Sequence, residues 1–421
     1  MNKYLHKFIK SKTSKRIVSG ITAVVMMFGA LPVNDLSEGI GKINFSLLSA
    51  SAADDDTPPE DYKFKHDEYN NVTIENSDFA EYSRYCQIYK EYHSNDNITL
   101  TVMNSSSSLS ASNFAGLGSQ EYPFGGSLSI AANTDITLNL DAPLFNYAYD
   151  TVTIENNGNP LKLSRCYYRG TDVSKTTPLI ASNVLSGSGT KSTWNINVLR
   201  PSVGSENGVD GGAYLKGYGG LIGTMKNGAS LMVNVTMNAD GDDTNAIALD
   251  GTADIGLLCG CMEESSTLIA QFTTNRGTDN HGIGSITTSS GNAGGLVGTM
   301  KSGSSLTYTG DQYQASALDI KTDNGYAGGI VGYNEGGTIT TNLPTGTTTY
   351  TIAQHIEGTY GSGAVYGYYK PATDIEFDIS GYSVTSDCQV NGNGKIGGLF
   401  GVLENDYNMT IKGAVATTEA D

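Results

Sequence analysis

A five-residue phrase recurs six times between residues 219 and 401: two small residues, an aliphatic residue, a second apolar residue and a glycine. The copies are Gly219-Gly220-Leu221-Ile222-Gly223, Gly256-Leu257-Leu258-Cys259-Gly260, Gly294-Gly295-Leu296-Val297-Gly298, Gly328-Gly329-Ile330-Val331-Gly332, Gly363-Ala364-Val365-Tyr366-Gly367 and Gly397-Gly398-Leu399-Phe400-Gly401. Their central aliphatic residues lie 37, 38, 34, 35 and 34 residues apart. A near-constant period of this size marks a stacked, quasi-one-dimensional architecture, in which each unit buries its apolar face against the next.

Each unit has a second part. Ten residues after the central aliphatic residue stand Leu231, Leu268, Leu306, Ile375 and Met409, with Ile339 at nine. Two further on are Val233, Ala270, Tyr308, Thr341, Phe377 and Ile411, and a step of two keeps both side chains on one face of a strand. Asn227-Gly228, Ser302-Gly303 and Glu335-Gly336-Gly337 supply turn chemistry between the two strands. The units are full of Gly, Thr, Ser and Asn and lack the long 3.6-period stretches a helical repeat needs. The expectation is an all-β chain, a right-handed parallel β-helix in which each strand pairs with its copy one coil along. Weaker copies upstream, Pro143-Leu144-Phe145 and Pro178-Leu179-Ile180, extend the series to about eight coils. Ile154, ten after Leu144, is expected in the second strand of its coil, and after Leu179 that strand is delayed to Trp194-Asn195-Ile196-Asn197-Val198.

The repeated Gly-Gly-Leu-Ile/Val-Gly resembles the GLUG motif of bacterial surface proteins. The upstream order matches as well: Val72-Thr73-Ile74, a helix between Asp78 and Tyr92, Ile98-Thr99-Leu100-Thr101-Val102, then Gly116-Leu117-Gly118 and Pro123-Phe124-Gly125-Gly126. The match covers roughly residues 70 to 413. The resemblance implies a cell-surface β-helix of the adhesin kind. Cys259 and Tyr366 before the closing glycine, and Leu257 and Ala364 in place of the second glycine, depart from the pattern and are expected to distort their coils.

Six basic residues from Lys3 to Arg16, the apolar stretch Ile17 to Leu31 and the small-x-small triplet Ala50-Ser51-Ala52 read as a secretory signal peptide over 1–53, cut at Ala52 or Ala53. The apolar stretch is fifteen residues, short of the roughly 20 that a membrane span needs. The segment holds seven of the 25 Lys and Arg and two of the 43 Asp and Glu, so the processed chain carries 18 against 41, a formal charge of −23. No basic stripe remains, which argues against nucleic acid or anionic membrane as partner. Residues 54–70 read as a flexible acidic leader, 71–113 as a small β-α-β cap, 114–413 as the repeats and 414–421 as a tail. In the cap, residues 78 to 92 form the expected helix, with Ser77 or Asp78 as N-cap and Phe79, Tyr82, Cys86, Ile88 and Tyr89 on one face. The chain ends ten residues after Met409-Thr410-Ile411, and a longer gene product is the expectation.

Chemistry-bearing motifs are few. Five cysteines, Cys86, Cys166, Cys259, Cys261 and Cys388, leave an odd thiol; a Cys86–Cys166 bridge is one pairing, and Cys259-x-Cys261 lacks the second ligand pair of a zinc site. Asp374, Glu376 and Asp378 alternate on one strand as a solvated row, and His281 and His355 are isolated in sequence. Asp240-Gly241-Asp242-Asp243 looks like a calcium-loop fragment without its downstream bidentate Glu, hence an acidic turn, and no catalytic, cofactor or metal site emerges. Twenty-five tyrosines against one tryptophan are a biased ratio; Tyr366 and Tyr368 on one strand face, with Tyr369 opposite, are the candidate ligand contacts, against core filling as the alternative. The function read from the sequence is a secreted or cell-surface binding rod for a glycan or an extracellular protein. A polysaccharide lyase or hydrolase on the same scaffold and a structural stalk are the alternatives.

Overall fold

The structure, a computed structural model, describes residues 63–89, 98–104, 108–111, 114–132, 137–140, 142–156, 158–165, 178–199, 214–216, 220–238, 247–275, 283–310, 319–342, 350–351, 355–378, 382–383, 389–404 and 407–412, all within one compact unit, Asp61–Asp421. It is a parallel β-solenoid, and every strand pairing is parallel between successive coils.

The recurring phrase builds an arch. Its last two residues begin a strand, and these strands stack into an eight-stranded ladder that runs from Phe145–Tyr149 and Ala181–Leu185 through Ile222–Met225, Cys259–Met262, Val297–Met300, Val331–Glu335 and Tyr366–Lys370 to Phe400–Leu403. We call it the arch ladder. Just before each later arch a short flank strand, Ala293–Gly294, Tyr326–Gly328, Gly361–Gly363 or Lys395–Gly397, stacks into its own ladder. The closing glycines exist because flank and arch backbones touch there. A Cβ on Gly298 would meet Ile255 N at 2.5 Å and Gly260 O at 2.6 Å, and one on Gly367 would meet Gly332 O at 2.6 Å and Ala327 N at 2.7 Å. No side chain fits such a gap, because the neighbour is backbone on every side.

After the arch strand the chain turns and enters a second eight-stranded ladder, the broad ladder, with Ser230–Asn238, Thr267–Asn275, Ser305–Gly310 and Thr338–Asn342 at its later end. Leu231, Leu268, Leu306 and Ile339 are direct register partners, as their spacing requires. The interval of nine before Ile339 has a cause. Asn334 is buried and closes a shorter turn by accepting from Gly337 N at 2.8 Å and donating to Gly337 O at 3.1 Å. A third ladder of six strands, from Tyr214–Lys216 to Gln389–Asn391, completes the cross-section with Leu249, Ile286, Ile320 and Ile356 stacked inward. Eight coils are expected from the spacing; the arch and broad ladders do have eight rungs, while the third face, with six, encloses about five complete turns. At roughly 4.8 Å per rung the long ladders extend on the order of 35 Å.

The first coils are built differently. Asn71–Glu75, the short helix Phe79–Tyr85 and Thr99–Asn104 give the β-α-β opening, and its two strands are rungs of a four-stranded ladder that continues through Ser127–Ala132 to Thr153–Glu155. Ile154 therefore belongs to this opening ladder. The strand that enters the broad ladder from its coil is Leu161–Arg165, while Thr193–Leu199 joins where the delayed spacing placed it. The helix is shorter than expected. Phe79, Tyr82 and Cys86 are buried, but Ile88 is 49 % exposed, and the Asp78 carboxylate binds Lys63 at 2.6 Å in place of capping the helix. Two anchors hold the longer excursions. The Trp194 indole donates to Val152 O at 2.8 Å, and the buried Asp150 takes Lys191 at 2.8 Å, Gly187 N at 2.8 Å and Ser230 N at 2.7 Å.

The expected distortion at Leu257 and Ala364 is slight. Both are buried, both coils keep regular arch pairing on either side, and the one trace is that Ile255 meets Ala293 through an isolated bridge in place of a flank strand.

Candidate functional site

The alternation of the arch strand is interrupted at the closing glycine. Ile222 and Met225 both point inward, and between them Thr224 alone faces out. The same step recurs along the ladder, with Asn146 and Ser182 at the glycine's place in the first two coils, so the residue after that position forms one outward column. It runs Tyr147, Asn183, Thr224, Cys261, Thr299, Tyr333, Tyr368, Val402, each in register with the next. The segments that lead into the flank strands rise beside this column as a wall, and column and wall together make a groove along the solenoid.

The wall is held by side chains that each reach one coil along. Thr288 Oγ1 donates to Ala253 O and Thr322 Oγ1 to Gly291 O, both at 2.7 Å. Asp254 Oδ1 accepts from Asn292 N at 2.8 Å, Asn292 Oδ1 accepts from Tyr326 N at 3.0 Å, and Asn292 Nδ2 donates to Thr299 Oγ1 at 2.9 Å. Burial outweighs these bonds at Asp254 and holds its carboxyl above the usual carboxylate range.

Along its earlier part the groove is open. Small side chains at Asn183, Thr224 and Cys261, with Thr252, Ala253, Ser290 and Gly291 in the wall, leave a hollow of about 530 Å³. Asp254 is the one charged residue among the described residues that line it. Cys261 is half-buried, and desolvation pushes its thiol up to about 12, so it is a poor nucleophile and a weak metal ligand.

Along its later part the groove is filled by rings. Tyr333 and Tyr368 stack at 4.3 Å with planes 11° apart, and Tyr326 lies across them at 5.6 and 5.3 Å. Tyr360 meets Tyr326 edge-on at 5.8 Å, its hydroxyl bonded to Asn324, and remains 50 % exposed. Desolvation first, then neighbouring carboxylates and phenols, raise the Tyr326 and Tyr368 hydroxyls above the ordinary phenol range, with Glu404 the carboxylate acting on both.

Of the three tyrosines singled out from the sequence, only Tyr368 belongs to this groove. Tyr366 and Tyr369 share the interior, stacked at 4.7 Å and packed against Phe400 at 5.8 and 5.7 Å. The assignment of Tyr366 to the face of Tyr368 fails because the arch strand turns two positions three residues apart inward, here as at Phe145 and Ala148 or Ala181 and Val184. Asn183, Asp254, Tyr326, Tyr333 and Tyr360 were missed. The signal that locates the column is the residue two after the first apolar residue of each arch strand, read down the coils.

The other sequence candidates are apart from the groove. Asp374 accepts from Asn408 N at 2.9 Å and Nδ2 at 3.2 Å, which lowers its pKa, and Glu376 pairs with Lys412 on the neighbouring strand. His355 bridges Asp319 at 3.5 Å and Asn391 at 3.1 Å on the third ladder. Cys86 and Cys259 are buried free thiols; the bridge from Cys86 is not made, and its sulfur lies 3.4 Å from both Ser83 O and Gly118 N. Ala52, Ala53, Cys166, Cys388, His281 and Asp240 to Asp243 lie outside the described residues. Among the described residues no cluster of His, Cys, Asp and Glu could hold a metal ion, and no helix is long and apolar enough to cross a membrane. No protein-family model matches the sequence, and no curated protein or solved structure is significantly similar to it.

Proposed function

We propose that the chain is a secreted or cell-surface binding solenoid, an adhesin-like rod that holds a glycan or an extracellular protein in the groove over its arch ladder. The observation that carries this reading is the groove itself, an open hollow of mixed polarity whose column of side chains runs on in register to a tyrosine platform on hydrogen-bonded ladders. Such a surface is concave, pre-formed and mixed in polarity, as binding sites are, and tyrosine offers large contact area at low entropic cost. The basic segment, apolar stretch and Ala50-Ser51-Ala52 support export, and the GLUG-like arch supports a place at a cell surface. No cofactor is part of the reading.

Two measurements test it. Expression of the full chain with sequencing of the exported product should give an N-terminus at Ala53 or Asp54; retention of residues 1–53 would remove the export argument. The exported protein should then be retained on immobilised plant or host polysaccharides or on host cells, with no new reducing ends or unsaturated products. Turnover would replace the adhesin by a carbohydrate-active enzyme on the same scaffold.

A further inference from the structure

Resting on the reading of the groove as the binding face, we infer that its ligand is an uncharged, extended oligosaccharide lying along the solenoid axis. Its hydroxyls would meet Asn183, Thr224 and Asp254 in the hollow, and one ring would lie on Tyr360.

Three features carry this. The first is spacing. The column presents one side chain per rung, roughly every 4.8 Å, which is close to the advance of one pyranose ring in an extended chain. From Asn183 to Tyr368 there are five steps in unbroken register. The second is chemistry. Asn183 and Thr224 each both donate and accept, and Asp254 accepts. A sugar hydroxyl also does both, and a pyranose presents a C–H face that an aromatic ring covers while its edges stay polar. Tyr360 is placed for this, since Asn324 and Tyr326 fix its orientation while half of its surface stays open.

The third is exclusion. Asp254 in the hollow, and Glu335 and Glu404 beside the tyrosines, put negative charge along the groove, offset locally by Lys301 near Asp254 and by Lys370, which pairs with Glu404 at 3.6 Å. The chain's net charge of −18 then disfavours an acidic glycan or a phosphate-bearing ligand. An extended peptide would seek an unpaired strand edge. The groove floor is instead the face of a ladder whose inner strands are paired on both sides.

The test is titration calorimetry of the purified exported protein with neutral xylo-, gluco- and manno-oligosaccharides of roughly two to six units, and with oligogalacturonate. Thr224→Trp fills the hollow from an outward position. Tyr360→Ala removes the platform, and because that ring is half exposed, the variant is informative even if Thr224→Trp fails to fold. Thermal unfolding checks both. The expected result is that one neutral series binds with affinity rising with chain length. Each folded variant should then lose about tenfold or more in affinity. Preference for oligogalacturonate would overturn the inference, as would neutral binding that neither variant weakens. If no sugar binds but a captured protein is lost with Thr224→Trp or Tyr360→Ala, the sugar assignment falls and the groove stands as the binding face. If neither sugar nor protein binds, both readings fall together.

Discussion

The middle coils, residues 220–310, and the later coils, 326–412, share one arch and differ in almost everything the arch surrounds. In the middle coils the inward positions of the arch strand are Ile222 and Met225, Cys259 and Met262, Val297 and Met300, the broad-ladder strands reach nine residues, and the outer groove is hollow. In the later coils the same inward positions are Val331 and Asn334 and then become Tyr366 and Tyr369, joined by Phe377 and Phe400, and tyrosines fill the groove. The broad ladder ends at Thr338–Asn342, and Ile375–Asp378 pairs only with Met409–Lys412 in a separate two-stranded ladder. The arch ladder crosses this change without a break. Backbone contact at the glycines fixes the pairing, while the size of the interior side chains fixes where the opposite wall can stand.

That division predicts where substitutions hurt. Gly298→Ala in the middle coils and Gly401→Ala in the later ones should be the most damaging single changes and similar to each other. A Cβ at either would come within 2.5 Å of a backbone nitrogen, Ile255 N or Ser362 N. Each should cost at least about 3 kcal/mol, the upper end for overpacking, because backbone has no rotamer to yield. Denaturant unfolding measures it, and a large cost in one coil with none in the other would break the claim that one arch serves both regions. Next comes Tyr366→Val, which gives the later coil the residue its register partner Val331 already has. It removes a ring packed against Tyr369, Phe377 and Phe400 and should cost about 2–3 kcal/mol, as a core cavity does. A neutral result would show that the aromatic interior is decoration on a cross-section already set by the arch.

The aromatic interior also makes the later coils sensitive to alkali. Burial pushes the Tyr369 phenol up to about 12 from an ordinary value of 10. The folded state therefore holds its proton where the unfolded chain gives it up. Stability from this group is full below pH 10 and falls as pH rises from 10 towards 12. Amide exchange followed across that window should show earlier opening in residues 355–378 than in 220–275. Phenolate absorbance should reveal tyrosines that ionise only on unfolding. Equal alkaline sensitivity in both regions would assign the effect to the surface tyrosines.

How much of this was legible in the sequence follows the same line. The arch was readable because its glycines answer a backbone constraint that recurs in every coil, and Leu231, Leu268, Leu306 and Ile339 fell into register as counted. The sense of Tyr366, Tyr368 and Tyr369 is not readable by a period of two, since the arch strand puts two inward positions three residues apart in coils with and without a glycine between them. The ladder of Ile154 is not readable either, because Val152-Thr153-Ile154 is the same apolar strand whichever ladder it joins, and only its pairing with Ser127–Ala132 decides. The hollow had no local signature at all. It is a lack of bulk shared by Asn183, Thr224, Cys261 and Gly291, which come from four different coils.

The smallest predicted effect lies at a turn. Between arch and broad strands the turn carries a left-handed glycine, Gly228, Gly303 or, in the shorter turn, Gly336, with φ of 70°, 72° and 83°. In the 259 coil that position is Ser265, held at φ 58°. The backbone there must be left-handed because Ser265 N donates to Ser302 O at 3.2 Å, just as Gly228 N donates to Glu264 O and Gly303 N to Gly336 O. Stacking of the turns thus imposes the conformation, and Ser265 bears the Cβ strain that its neighbours avoid. Ser265→Gly should relieve about 1 kcal/mol, less the added entropy of the unfolded chain, and raise the melting temperature by about a degree. A fall in stability would mean that the serine side chain contributes more than the left-handed backbone costs, and the turns would then be held coil by coil and not by their stack.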